Sequence, residues 1–141
     1  MLSESAIKSK HGMSEAPRTV LIVDDDPNIL RLVEKMLKPR RVNVLVAPRP
    51  SEALQICERQ PVDLLISDVA MPEMDGTKLA DRVLKLQPTA SVLLISGHYK
   101  DEDGPRRNAR MRFLPKPFFP SQLLAHLREL LPDASIGESK E

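Results

Sequence analysis

The 141-residue chain is short of several things, and each shortage removes a class of function. It has one cysteine, Cys57, so it can form neither an internal disulfide nor a multi-cysteine metal site, and it suits a reducing compartment. It has no tryptophan, and aromatics are 3% of the residues, so the core must be aliphatic. No apolar run approaches the roughly 18–20 residues of a membrane span, and no apolar segment near Met1 reads as a secretory signal. The 21 basic and 20 acidic side chains leave a net charge of +1. That balance gives no general reason to expect nucleic acid or an anionic membrane as partner. There is no GxxxxGK(S/T) phosphate loop, and His11, His98 and His126 are scattered without zinc-ligand spacing.

What is present centres on the stretch from Val62 to Gly76. Val62 to Ile66 is a short apolar run that suits a strand buried on both faces. It stops at Ser67-Asp68, and a carboxylate there is expensive unless something needs it. Met71-Pro72-Glu73-Met74-Asp75-Gly76 is turn chemistry, in which Pro fixes one φ and Gly permits a positive one. Asp68 therefore sits at the carboxyl end of a core strand, the edge where open α/β sheets bind ligands.

The remaining chain alternates. Thr19 to Val23 reads as a strand ending in Asp24-Asp25-Asp26-Pro27. Asp26 is placed to N-cap a helix opened by Pro27. Asp24 and Asp25 form either a solvated turn or part of the edge that holds Asp68. The Pro27 helix presents Ile29, Val33, Met36 and Leu37 inward. Val42 to Ala47 is a strand, and Pro50 opens a helix with Ala53, Leu54 and Cys57 inside, where Cys57 acts as a small buried hydrophobe. Thr77 to Leu86 is a helix capped by Asp75 or Thr77. Ser91 to Ile95 and Met111 to Leu114 are strands, and Pro120 to Leu131 is the last helix. The domain spans 19–132, between polar tails at 1–18 and 133–141, and Met13 is a possible natural start. Strands alternating with helices imply a parallel sheet covered on both faces, with every strand's carboxyl end at one edge. Asp24, Asp25, Asp68, Ser96 and Lys116 meet there.

An acid-rich, all-oxygen set suits Mg²⁺. A carboxylate can attack phosphorus to give an aspartyl phosphate. Lys116 would neutralise charge on the transferring group, and Ser96 would donate a hydrogen bond to it.

Four motifs resemble the receiver domains of bacterial two-component response regulators. They are Val-Leu-Ile-Val-Asp-Asp-Asp at 20–26, Leu-Ile-Ser-Asp-Val-Ala-Met-Pro-Glu-Met-Asp-Gly at 65–76, Leu-Leu-Ile-Ser-Gly at 93–97 and Phe-Leu-Pro-Lys-Pro-Phe at 113–118. The resemblance implies a three-layer, doubly wound, five-stranded parallel sheet of order 2-1-3-4-5, as in flavodoxin and CheY. It implies that Asp68 is the phosphoacceptor, served by a histidine kinase or phosphotransfer protein. Asp25, Asp68 and the Ala70 backbone carbonyl would bind Mg²⁺ directly, and Asp24 through water. Ser96 would be the switch hydroxyl, Lys116 the phosphate contact, and Phe113 the aromatic that responds, unless it is a static core residue. The Lys116-Pro117 peptide would be cis. The implied protein is a cytoplasmic switch, monomeric or weakly dimeric, that acts on another protein. It is not an enzyme beyond its own phosphorylation and dephosphorylation.

The chain departs from the family pattern in three places. His98 to Arg110 has almost no apolar stripe and contains Gly104-Pro105, so the helix between the fourth and fifth strands should be short or irregular. Arg106, Arg107, Arg110 and Arg112 read as a solvated face. Phe119 stands where a capping Ser is common, and is an exposed contact. Ala70 offers no side chain to orient an attacking water, and His98 faces solvent. No output domain follows Leu131, so the chain is a stand-alone receiver or a piece of a larger regulator. Two other readings compete with a phosphorylation switch. One is a phosphate-independent interaction module with this fold. The other is an aspartate-based phosphatase, which typically has a second acid two residues after the nucleophile, where this chain has Ala70.

Overall fold

Alternation along the strands decides the layers. In β1 (Arg18–Val23), Val20 and Ile22 pack on one face of the sheet while Leu21 and Val23 pack on the other. The same split runs through β3 (Leu64–Asp68), with Leu64 and Ile66 against Leu65, and through β4 (Ser91–Ser96), with Leu93 and Ile95 against Val92 and Leu94. Strands apolar on both faces need helices on both faces. The computed structural model, which describes residues 17–97 and 110–131, supplies them. Helices α1 (Pro27–Leu37) and α4 (Pro120–Leu130) cover one face, and α2 (Pro50–Arg59) and α3 (Gly76–Leu86) cover the other. With β2 (Val42–Ala47) and β5 (Met111–Pro115), the sheet is parallel and ordered β2-β1-β3-β4-β5, as expected from the sequence.

Several boundaries and faces differ from the sequence reading. β3 begins at Leu64 and includes Asp68, because Asp63 is drawn to the amino edge of β1. Its carboxylate accepts from the Thr19 N–H at 2.7 Å and pairs with Arg18 at 3.2 Å. β1 begins at Arg18, one residue inside the expected tail. On α1 the buried stripe is Leu30, Val33 and Leu37, with Ile29 and Met36 only half-buried, so the helix is rotated by about one residue from the expected face. The segment 98–109, which includes His98, Arg106, Arg107 and the expected irregular helix, lies outside the described residues. So do the tails, apart from Pro17 and Arg18. No helix among the described residues is long and apolar enough to cross a membrane.

Candidate functional site

Each site residue arrives at the carboxyl edge by strand register. β1 and β3 pair with Ile22 opposite Ile66 and Val23 opposite Ser67. Asp24 follows β1 directly, and Asp68 is the last residue of β3, so the two acids emerge side by side. Asp24 is held in place by the Asp26 N–H, which donates to its Oδ1 at 2.9 Å. Asp26 in turn caps α1, accepting from the Asn28 N–H at 2.9 Å. The Asp-Asp-Asp run is therefore divided: Asp26 serves the helix, Asp24 is buried in the site, and Asp25 is exposed at its rim.

Carboxylate oxygens of Asp24, Asp25 and Asp68 all lie within 4.8 Å of one another. Lys116 reaches the same point from the end of β5. Its Nζ is 3.0 Å from Asp68 Oδ1 and 3.8 Å from Asp24 Oδ2. Its backbone N–H donates to the Ser96 carbonyl at 2.9 Å, and the Lys116–Pro117 peptide is cis. Ser96, at the end of β4, is buried. Strand alternation places Ser96 on the Leu94 face of the sheet, where Phe113 is also buried.

Three carboxylates share one ammonium, and the charge is crowded. Burial pushes the Asp24 carboxyl up from 3.8 to about 6; the nearby charges of Asp68 and Asp25 push the same way, while the Asp26 N–H and Lys116 pull it back. Burial works against the charge on Lys116, but its hydrogen bond to Asp68 and the charges of Asp24 and Asp68 outweigh it and raise its pKa. A cluster of hard oxygen donors with excess negative charge is chemically suited to a small divalent cation.

This arrangement carries a pH prediction. Between pH 3.8 and about 6 the folded chain holds a proton on Asp24 that the unfolded chain has released. Stability therefore falls as pH rises through that window. In metal-free buffer at pH 7, Asp24→Asn is expected to raise the unfolding free energy by about 1–3 kcal/mol. Urea melts at pH 4 and pH 7 check this, because the gain should be confined to the higher pH.

A family model for the response regulator receiver domain matches residues 20–128. The chain belongs to that family. Its relatives include the "Uncharacterized 14.6 kDa protein in sodA1 3'region" of Leptolyngbya boryana, 40% identical over 116 residues that make up 77% of this chain and 86% of that protein. The response regulator receiver protein CpdR of Brucella abortus is 30% identical, over 81% of this chain and 91% of its own length. The chain also matches 24% of the transcriptional regulatory protein GlrR of Escherichia coli, at 36% identity over 74% of this chain. Among solved structures, the receiver domain of the hybrid histidine kinase CckA superimposes with a TM-score of 0.70, at 33% identity, covering 80% of this chain and 98% of that one. As a receiver domain, the chain belongs to a family of phosphorylation-based signalling modules.

Two residues near the receiver site do work that the sequence reading missed. The sequence reads Gly76 as a turn residue that permits a positive φ. It is instead the first residue of α3, and a side chain there is excluded by space: a Cβ would lie 2.2 Å from the Asp68 carbonyl oxygen and 2.9 Å from Val69 Cα. Glu73, read only as part of a turn, accepts from the Ser51 N–H at 2.9 Å, at the start of α2. The available signal was Arg49-Pro50-Ser51, a helix start with no capping side chain before the Pro. Asp75 caps α3, accepting from the Thr77 N–H at 2.7 Å. Cys57 is buried, and burial pushes its thiol up to about 11, so it is poorly suited to act as a nucleophile. Phe119 is 73% exposed. The backbone N–H of Phe119 donates to Gln122 Oε1 at 2.7 Å, half of a capping box.

Proposed function

We propose that this receiver domain accepts a phosphoryl group on Asp68 from a phosphohistidine in a kinase or phosphotransfer protein and then alters its surface for a protein partner. The observation that carries the reading is the Asp68 carboxylate, buried at a strand end and held 3.0 Å from Lys116 Nζ, beside two further acids. An Asp68 oxygen attacks phosphorus, the P–N bond breaks with its electron pair going to nitrogen, and the imidazole, already protonated at its other ring nitrogen, leaves neutral. Lys116 stays beside the oxygens on which charge gathers.

Asp25, Asp68 and the Ala70 carbonyl would hold Mg²⁺, with Asp24 acting through water. The fit rests on three carboxylates that converge at one point, where burial first and then the charges of Asp68 and Asp25 raise the Asp24 pKa. When bound, Mg²⁺ neutralises charge on the pocket and on the transferring group. At a Mg²⁺ concentration 100 times its Kd, the wild type should gain about 2.7 kcal/mol of stability. Thermal melts with and without Mg²⁺ measure this, and no gain would remove the cation from the reading.

In this reading Ser96, buried at the end of β4 beside β3, would supply the hydroxyl that bonds the new phosphoryl oxygens. Phe113 already lies in the core, so its response would be a repacking rather than an entry from solvent. The deciding experiment is two-dimensional NMR of the wild type and Asp68→Ala with Mg²⁺ and beryllofluoride, a phosphoryl mimic. Shifts at Ser96, Lys116 and Phe113 in the wild type alone support the switch. No shift with Mg²⁺ binding intact favours a module that keeps the fold without switching.

A further inference from the structure

The loop that carries Ala70 is fixed at alternate residues. Val69 is buried and donates its N–H to the Ile95 carbonyl at 2.9 Å. Met71 is buried in the core layer beneath α2 and α3. Glu73 reaches across to α2, and Asp75 caps α3. Of the residues between them, Ala70 and Pro72 are exposed and Met74 is half-buried. Of the four anchors, Glu73 is the exposed one, and it reaches a helix 22 residues earlier in the chain.

The anchor has a physical reason. Arg49 occupies the N-cap position of α2 and makes no side-chain cap hydrogen bond, and Pro50 has no N–H to give. Ser51 therefore carries an early orphan donor of the helix. Glu73 takes it with one oxygen at 2.9 Å and approaches Ser51 Oγ with the other at 3.3 Å. A carboxylate at a helix N-terminus is favoured by the helix dipole, and the bond is charge-assisted. Between α2 and the loop lies a notch of about 250 Å³, bounded by Pro48, Pro50, Pro72 and Glu73, with Asp25 opening onto it. Glu73 thus spans the gap between the wall beside Asp25 and the loop that bears Ala70.

We infer that Glu73 is a positioning residue for the acidic site: its bond to the start of α2 sets the Ala70 loop against Asp25 and Asp68 and so raises affinity for the divalent cation. This rests on the reading of the acidic pocket as a Mg²⁺ site. It also makes α2 a reporter of that site, because whatever moves the loop must strain or relax the Ser51 bond.

The test is Mg²⁺ titration of the full chain, followed by NMR, in the wild type, Glu73→Ala, Glu73→Gln and Glu52→Ala. Glu73→Ala should weaken Mg²⁺ binding about three- to tenfold, at or below the roughly tenfold minimum typical of direct supporting partners of metal ligands, because Glu73 acts through the loop. The Ser51 amide should shift with Mg²⁺ in the wild type and lose that response in Glu73→Ala. Glu73→Gln, which keeps an acceptor oxygen but no charge, should recover most of the loss. Glu52→Ala removes a carboxylate from the same helical turn and should bind Mg²⁺ as the wild type does. If Glu73→Gln and Glu52→Ala lose as much affinity as Glu73→Ala, long-range charge explains the effect and the inference fails. It also fails if Glu73→Ala binds like the wild type. A wild type that binds no Mg²⁺ overturns the metal reading together with this inference, whereas normal wild-type binding with unaffected Glu73 variants overturns this inference alone.

Discussion

Asp68→Asn is expected to bring phosphoryl incorporation from a small donor such as acetyl phosphate down to background, as read by intact mass. The substitution keeps the shape of the side chain and an acceptor oxygen for Lys116 Nζ, now 3.0 Å from Asp68 Oδ1. It removes the anionic oxygen that must attack phosphorus. Folding should survive. Asp68 is buried beside Asp24 and Asp25, and removing one of three crowded carboxylates relieves repulsion. Two secondary signs should accompany the loss. The Asp24 pKa should fall, because the Asp68 charge helps to raise it, and the Lys116 pKa should fall with the loss of its charged partner. Undiminished incorporation would mean that another carboxylate is the acceptor. The exposed Asp25 would be the first to examine.

Gly76→Ala should be the most damaging single-methyl change near the site. A Cβ would lie 2.2 Å from a backbone carbonyl oxygen, and backbone cannot swing aside as the end of a flexible side chain can. Either α3 retreats from β3 or the loop between them is displaced. The N–H of Gly76 donates to the Val69 carbonyl at 2.8 Å, so both routes break or stretch that bond. Overpacking of this kind costs about 1–3 kcal/mol. Urea denaturation should show a lower midpoint with an unchanged m-value, and Mg²⁺ affinity should fall with it, because Ala70 and Asp68 sit on the displaced backbone. Unchanged stability would show that α3 can shift freely, and that the close packing of its first turn does not hold the site.

Much of this was legible from the residues, for reasons that can be stated. Apolar runs of Val, Ile and Leu buried on both faces mark β1, β3 and β4, because alternate residues feed two separate core layers. The acids and Lys116 were legible because each follows such a run, and parallel strands bring their ends to one edge. Asp26 and Asp75 were legible as caps because capping acts over two residues. What escaped acts over distance. Nothing local to Glu73 says that its acceptor oxygen goes to Ser51 rather than to water. Nothing local to Gly76 says that a carbonyl eight residues back occupies the space of its missing side chain. Leu30 escaped for a subtler reason: α1 is apolar at Ile29, Leu30 and Leu32, and periodicity alone does not choose the buried stripe among them.

The pairing of β1 with β3 has a consequence for how this chain can vary. Asp24 and Asp68 meet because Ile22 lies opposite Ile66. A strand advances about 3.3 Å per residue and turns its side chains over at each step. One residue inserted or deleted between Thr19 and Val23 would therefore carry Asp24 past Asp68 and send its carboxylate to the other face. Aliphatic exchanges at Val20, Leu21 or Ile22 change no such relation and cost only packing. The chain should thus accept many sequences in its interior but almost no length change there, while a length change between Lys38 and Arg41, outside the strands, leaves the two acids facing each other. A library of single-residue insertions, scored for Mg²⁺ binding, would trace this boundary directly.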